Sequence, residues 1–217
     1  MELLLPQKLL KNYNDMHICI TAGGTKEPID TVRYITNASS GKMGTALYNA
    51  AKSHTKELTF LNASDYSAKK LYEHLNKIHR DIDILIMAAA VADYTPSQTC
   101  DHKIKKNKKD YKIILEPTID ILKKLGQSKK KPFLVGFCLE EDKILISEAK
   151  RKLKEKNIDI IIANPVSTIG KEDSIATIIT ANNKISLPLL SKRELANIIL
   201  KHVLEVYNDK ISRSSNK

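Results

Sequence analysis

The chain has no tryptophan and only three phenylalanines and three cysteines in 217 residues. With large aromatics so scarce, any core must be aliphatic, filled by Ile, Leu, Val and Ala. The cysteines (Cys19, Cys100, Cys138) are odd in number and form no CxxC pair. That argues against a disulfide framework and a zinc site, and it suits a reducing compartment. No run reaches the ~18 apolar residues of a membrane span. The opening MELLLPQKLLKNYNDM turns polar too early for a signal peptide. The expectation is a cytoplasmic protein that does not enter a membrane. There is no internal repeat, and His17, His54, His74, His79, His102 and His202 show no metal-ligand spacing.

What the chain does have is positive charge. Thirty-six Lys and Arg against 25 Asp and Glu leave +11. That balance favours anionic partners: nucleic acid, an acidic membrane surface or phosphorylated small molecules. It is equally the mark of a merely lysine-rich solvated surface. The length fits one substantial α/β domain rather than two, and 42% apolar residues are enough for a core.

Strand-like and helical patterns alternate from residue 17. His17–Ala22 is a buried-strand run ending at Gly23-Gly24. Gly41–Ser53 reads as a helix with Ser39 or Ser40 as its cap. Leu58–Leu61 is a short strand and Ala68–His79 a helix. Ile82–Ala90 is apolar throughout, the pattern of a central parallel strand. Phe133–Phe137 and Asp159–Ala163 repeat that signature on either side of a helix over 144–157. The alternation predicts a Rossmann-like, mostly parallel twisted sheet with helices on both faces. Ala176–Thr180 and Lys184–Leu187 flank Asn182-Asn183, predicting a C-terminal β-hairpin with a turn tolerant of positive φ. Ser191–Glu194 is a capping box opening a helix to about Tyr207, after which the last ten residues are expected to fray.

Two loops carry chemistry. Thr21–Thr25 places adjacent glycines where open α/β sheets bind ligands, past the carboxyl end of a strand. Alone it is also an ordinary strand-ending turn. Asn37–Gly44 packs two serines, two glycines and Lys42 into a helix start. There, free N–H groups and the dipole seat phosphate. A plain serine cap is the rival reading, weakened because both loops end at the same sheet edge. Lys152 and Lys156, i,i+4 on one helix, suit a shared grip on a triphosphate, although most of that helix's basic residues must be solvated. Lys103–Lys112 holds six lysines in ten residues, the pattern of an exposed loop or a nucleic-acid contact. Few aromatics are available for base stacking. Asp93 closes a strand, Phe137 has core packing as its default, and His102 is assigned no role.

Ile20–Gly44 (ITAGGTKEPIDTVRYITNASSGKMG) resembles the signature of phosphopantothenoylcysteine synthetase, a phosphopantothenate–cysteine ligase, in the form fused behind a flavin decarboxylase in many bacteria. Ala88–Tyr94, Lys103–Lys106, Leu134–Phe137 and Ala149–Asn164 resemble its later blocks, so the likeness spans about residues 17–207. The resemblance implies a ligase domain over 17–207, behind a linker-like segment 1–16 and before a polar tail 208–217. It implies an acyl-cytidylate formed from 4′-phosphopantothenate and CTP, with Mg²⁺, which cysteine's amine then opens with loss of CMP. It also implies roles. Asn37 holds the acyl-nucleotide, and Ala89 and Ala90 line the phosphopantothenate site. Gly23, Ser39, Gly41 and Gly44 contact the nucleotide. Asp93, Ile119, Asp120, Ile121, Leu122 and Phe137 serve base and ribose, with Asn164 nearby. Lys152 and Lys156 bind phosphate, and Lys103 closes on a loop over the triphosphate. No residue is assigned to a metal. The family further implies a homodimer, no specific nucleic acid and no membrane partner.

Two departures stand out. The family has a strand ending in a Ser-Gly-Pro loop, then another strand, before the helix that here begins near Ala68. This chain has only Leu58–Asp65 there. The flavin decarboxylase half is also absent, although Glu2–Leu10 resembles the linker to it. No decarboxylase activity or FMN site is expected, and a separate decarboxylase is a candidate partner. The rival readings are a nicotinamide-dependent reductase, which should carry GxGxxG and does not, and a basic nucleic-acid-binding module.

Overall fold

The structure, a computed structural model, describes residues 15–106 and 110–215. Its parallel core runs in chain order from β1 (His17–Ala22), with short strands β2 (Lys26–Pro28) and β3 (Tyr34–Thr36), to α1 (Lys42–Ala51) and β4 (Glu57–Asn62). Next come α2 (Ala68–Ile78), β5 (Ile84–Met87), β6 (Tyr94–Pro96) and β7 (Leu115–Pro117). Then follow α3 (Ile121–Gly126), β8 (Phe133–Glu140), α4 (Leu145–Glu155) and β9 (Ile160–Pro165). The antiparallel hairpin β10 (Asp173–Ile179) and β11 (Lys184–Ser191) leads into α5 (Lys192–Ser215).

Seven strands form one sheet in the order β11-β10-β9-β8-β5-β1-β4. Pairing is parallel from β4 to β9 and antiparallel at β10 and β11. The fold is therefore the expected Rossmann-like one. Only β4 stands between α1 and α2, at the sheet edge, where the family pattern has an additional strand. Aliphatic side chains fill both faces. Ile18, Ile20, Ile84, Ile86, Val135 and Ile160 pack with α1 and α5. Cys19, Leu85, Leu134 and Ile161 pack with α2, α3 and α4 on the other side. At about 25 cal/mol per Å² of buried apolar surface, these two layers are the main stabilising contribution.

Three local expectations need correction. Neither Ser39 nor Ser40 caps α1. The N-cap is Gly41 in the left-handed region (φ 70°), with no side-chain cap, and Ser39 Oγ accepts from Gly41 N at 3.4 Å instead. The central strand ends at Met87 rather than Ala90. Beyond it, Ala89 N donates to Thr21 Oγ1 (3.2 Å) and Ala90 N to the Gly23 carbonyl (2.8 Å), so the chain follows β1's exit loop. The expected hairpin is present, and its turn does not take up the positive φ that Asn182-Asn183 tolerates: among the described non-glycine residues only Asn157 has one. Thr180 Oγ1 accepts from Asn182 N and Asn183 N, closing a longer turn. Finally, α5 continues past Tyr207 to Ser215 because Tyr207 donates to Asp83 (3.2 Å) and Lys210 to Asp159 (2.5 Å). The last two residues lie outside the described part.

Candidate functional site

The chain leaves β1 toward β4 on one side and continues to β5 on the other, so strand order reverses between β1 and β5. Ligands of open α/β sheets bind at such a point, beyond the carboxyl ends of the strands. Here the two exit loops are stitched together. Thr25 N donates to the Ala90 carbonyl (3.2 Å), and the buried Thr25 hydroxyl accepts from Ala92 N (3.0 Å). Thr36 Oγ1 donates to the Thr25 carbonyl (2.7 Å), bringing β3's end over the same spot. Asn37, the next residue, turns its carboxamide back so that Nδ2 donates to Val91 O (3.1 Å), with a longer contact to Ala90 O.

A cleft of about 440 Å³ opens there. Its walls are Asn37–Gly44 at the start of α1, Ala88–Ala90 after β5, Phe137–Leu139 of β8, and Asn164 with Thr168–Gly170 after β9. Of the residues expected from sequence, Asn37, Ser39, Gly41, Gly44, Ala89, Ala90, Phe137 and Asn164 line this one space. Gly23 lies directly beneath, its N only 3.2 Å from where a Gly41 Cβ would stand. Asn164 is buried and oriented by donating to the Ile175 carbonyl (2.6 Å). Ala88, Ala89 and Ala90 keep the floor low. The cleft lining contains Lys42 and Lys192 and no Asp or Glu. An uncapped helix start beside two lysines makes a site of positive potential.

None of the remaining expected residues lines this cleft; Ile119–Leu122, Lys152 and Lys156 form a second group on the α3–α4 face. Asp120 caps α3 (Lys123 N to Oδ1, 3.0 Å) and pairs with Lys156 Nζ at 3.1 Å. Ile119 and Leu122 pack against that face's core, and Ile121 is part of it. Lys152 donates to Glu140 (2.8 Å) and approaches Cys138 Sγ (3.6 Å). Burial opposes the Lys152 ammonium, but the charges and hydrogen bonds of Glu140 and Cys138 together outweigh it and hold its pKa above the usual value. Lys152 and Lys156 thus meet different carboxylates. Asp93 is exposed, its carbonyl accepting from Thr118 N (2.9 Å). Lys103 is exposed as well. Beside it, Ile104 is clamped by Asp30 Oδ2 (3.0 Å) and Arg33 Nη2 (2.7 Å). Residues 107–109 of the lysine-rich stretch lie outside the described part. The two groups touch through β8, where Phe137 packs toward α1 and α5 and Cys138 toward α4.

Sequence reading passed over Thr21, Thr25, Thr168, Ser174 and Lys192. The first two look like ordinary strand residues, and only the fold shows their hydroxyls joining loops. Lys192 did leave a signal: a cation in the first turn of a helix opposes the helix dipole. Among the described residues, no group of three or more His, Cys, Asp or Glu is arranged to hold a metal ion.

The sequence model for the DNA/pantothenate metabolism flavoprotein C-terminal domain matches residues 13–207. The chain is 42% identical over 214 residues to a cysteine/cysteine sulfinic acid decarboxylase from an unknown prokaryotic organism, covering 89% of this chain and 59% of that protein. It is 37% identical over 206 residues to the coenzyme A biosynthesis bifunctional protein CoaBC of Bacillus subtilis (strain 168), covering 86% of this chain and 50% of that one. It thus spans between half and three-fifths of these relatives' length. The crystal structure of a CoaBC C-terminal domain superposes with a TM-score of 0.74 at 35% identity, over 92% of this chain and 100% of that chain.

Proposed function

The chain belongs to the DNA/pantothenate metabolism flavoprotein C-terminal domain family, and on that premise we propose that it is a phosphopantothenate–cysteine ligase acting in coenzyme A biosynthesis. In this reading the acid's carboxylate oxygen attacks the α-phosphorus of CTP and pyrophosphate departs. Cysteine's nitrogen then attacks the acyl carbon of the acyl-cytidylate, CMP leaves, and the amine loses a proton. The observation that carries the reading is the meeting of Asn37, Ala89, Ala90 and Phe137 in one cleft with cations and no carboxylate. A space of that character suits a mixed acyl-phosphate anhydride.

Asn37 presents a neutral amide to the reacting acyl group, where a hydrogen-bond donor stabilises developing oxyanion charge without a competing charge. Gly23, Ser39, Gly41 and Gly44 let the phosphates approach the α1 amides, and Asn164 and Phe137 border the nucleotide. Asp93, Ile119–Leu122, Lys152 and Lys156 serve the base, ribose and phosphates from the α3–α4 side. Lys103 supplies charge to the nucleotidyl-transfer half. The cleft has no carboxylate to offer Mg²⁺, which usually takes one or two carboxylates besides phosphate oxygens. The residues present therefore do not form a protein-built magnesium site.

We further propose a homodimer, with a separate decarboxylase acting on the product. The test is pyrophosphate release with 4′-phosphopantothenate and CTP or ATP, with and without cysteine. CTP- and acid-dependent pyrophosphate is expected, with CMP and amide appearing once cysteine is added. Release only with another acid would remove the substrate assignment, and preference for ATP would remove the nucleotide. Measuring CO₂ from cysteine in the same mixtures distinguishes the ligase from the activity named for the first relative. Lys103→Gln is expected to slow pyrophosphate formation at least tenfold, and an unchanged rate would dismiss its role.

A further inference from the structure

Among the described residues two charged side chains line the cleft, and they differ in what neutralises them. Lys42 forms an ion pair with Glu172, the acidic residue just before β10. Lys192, the first residue of α5, has no ion pair among the described residues; its ammonium donates to the Lys171 carbonyl, a neutral acceptor. Its backbone N–H is tied to Glu172 O at 3.2 Å. The side chain thus stands on the wall shared by the cleft and a second groove along α1 and α5, both of which include Ser40, Lys42 and Lys192. Burial and the adjacent Lys42 both disfavour its positive charge, lowering its pKa, and Glu172 offsets this only in part. Both lysines also occupy helix first turns, where the dipole opposes a cation. An ammonium without a carboxylate partner, beside an uncapped helix start in a cleft whose described lining holds no carboxylate, marks a place for an anion with several oxygens.

We propose that Lys192 is a phosphate-contact residue of this cleft, gripping a terminal phosphate together with the α1 N-terminus, and that Glu172 attenuates this grip by occupying Lys42. The inference rests on the ligase reading for its ligands, and it concerns residues to which that reading gives no role. The shared chemistry is a phosphate dianion, which either the nucleotide's polyphosphate or the acid substrate's phosphomonoester supplies.

The test is calorimetric titration of the full chain with inorganic tripolyphosphate, CTP and 4′-phosphopantothenate, alongside steady-state kinetics. Lys192→Gln should weaken tripolyphosphate binding ten- to hundredfold, as expected for a lost charge-assisted hydrogen bond. Lys192→Arg should restore most of it at an unchanged melting temperature. A rise in KM confined to CTP assigns the polyphosphate; one confined to phosphopantothenate assigns the phosphomonoester. Glu172→Gln should tighten tripolyphosphate binding several-fold by releasing Lys42, and should lose most of that gain when combined with Lys192→Gln. Unaltered tripolyphosphate affinity in both Lys192→Gln and Glu172→Gln would overturn the proposal. Tripolyphosphate binding that depends on Lys192 in a chain inactive toward phosphopantothenate would keep this inference and discard the ligase assignment.

Discussion

The Asn37 carboxamide is aimed by two backbone carbonyls, those of Val91 and Ala90. Asn37→Asp would set a carboxylate against those oxygens and take away the N–H donor. A fall in kcat of about 10²–10³ is expected, in line with losing one oxyanion donor, with acyl-nucleotide accumulating or escaping in quenched-flow samples. Unchanged turnover would end its assignment. Thiol chemistry gives a second check. Burial pushes Cys19 up to about 12 and raises Cys138, which Lys152 offsets only in part. The thiolate is the reactive form, so a disulfide reagent near neutral pH should label partly exposed Cys100 rapidly and the other two only on unfolding. At this scale the sequence was legible where a residue's type was unusual for its place, as with Asn37 or Gly41. It was silent on the partners of Thr25 and Lys192, Ala92 and Lys171, which are set by the folded chain.

Single elements were easier to anticipate than their ends. The ILIM run and its neighbours could only be buried strands, and the Ser191–Glu194 box caps α5 through Ser191 N to Glu194 Oε2 at 3.0 Å. The ends escaped notice when a tertiary contact decided them: Tyr207 and Lys210 keep α5 helical beyond its apolar stripe. Helix α1 lies so close to β1 that a Cβ on Gly44 would come within 2.4 Å of Ala22 Cβ. Gly44→Ala should therefore cost about 1–3 kcal/mol through overpacking, read as a lower melting temperature. An unshifted melt would mean that α1 yields freely. Tyr207 offers a pH test. Burial, with Asp83 adding to it, pushes its pKa up to about 12 from an ordinary 10. A raised folded-state pKa gives stability that is complete below about pH 10 and lost as pH climbs toward 12. Denaturation midpoints should fall across that window, and Tyr207→Phe should flatten the slope. An identical slope in the variant would assign the effect elsewhere.

Across the whole molecule, the alternation of strands and helices already implied the sheet, whereas its strand order emerges only from packing. The split of the expected ligand residues between two faces was also hidden, since spacing along the chain does not say which face a strand residue takes. The small β2–β3 and β6–β7 ribbons leave Val32, Tyr34, Tyr94 and Ile114 largely exposed, Ile114 at 75%. That is a surface a second copy would cover. Sedimentation is expected to give about twice the 24.4 kDa chain mass, and Ile114→Asp to shift it toward the single chain. A wild-type monomer at micromolar concentration would dismiss the dimer. The +11 charge should produce only weak, salt-sensitive DNA binding; tight binding at 0.2 M salt would favour the nucleic-acid reading.

The Lys42–Glu172 pair joins positions 130 residues apart, linking one of the first helices to the last hairpin. The cleft is thus closed by parts of the polypeptide far apart in the sequence. A nascent chain on the ribosome can pair its parallel strands while that cleft still lacks the side carrying Lys192. Ligand rescue of stability should consequently appear only in chains long enough to include Lys192, making it a reporter of the docking of helix α5.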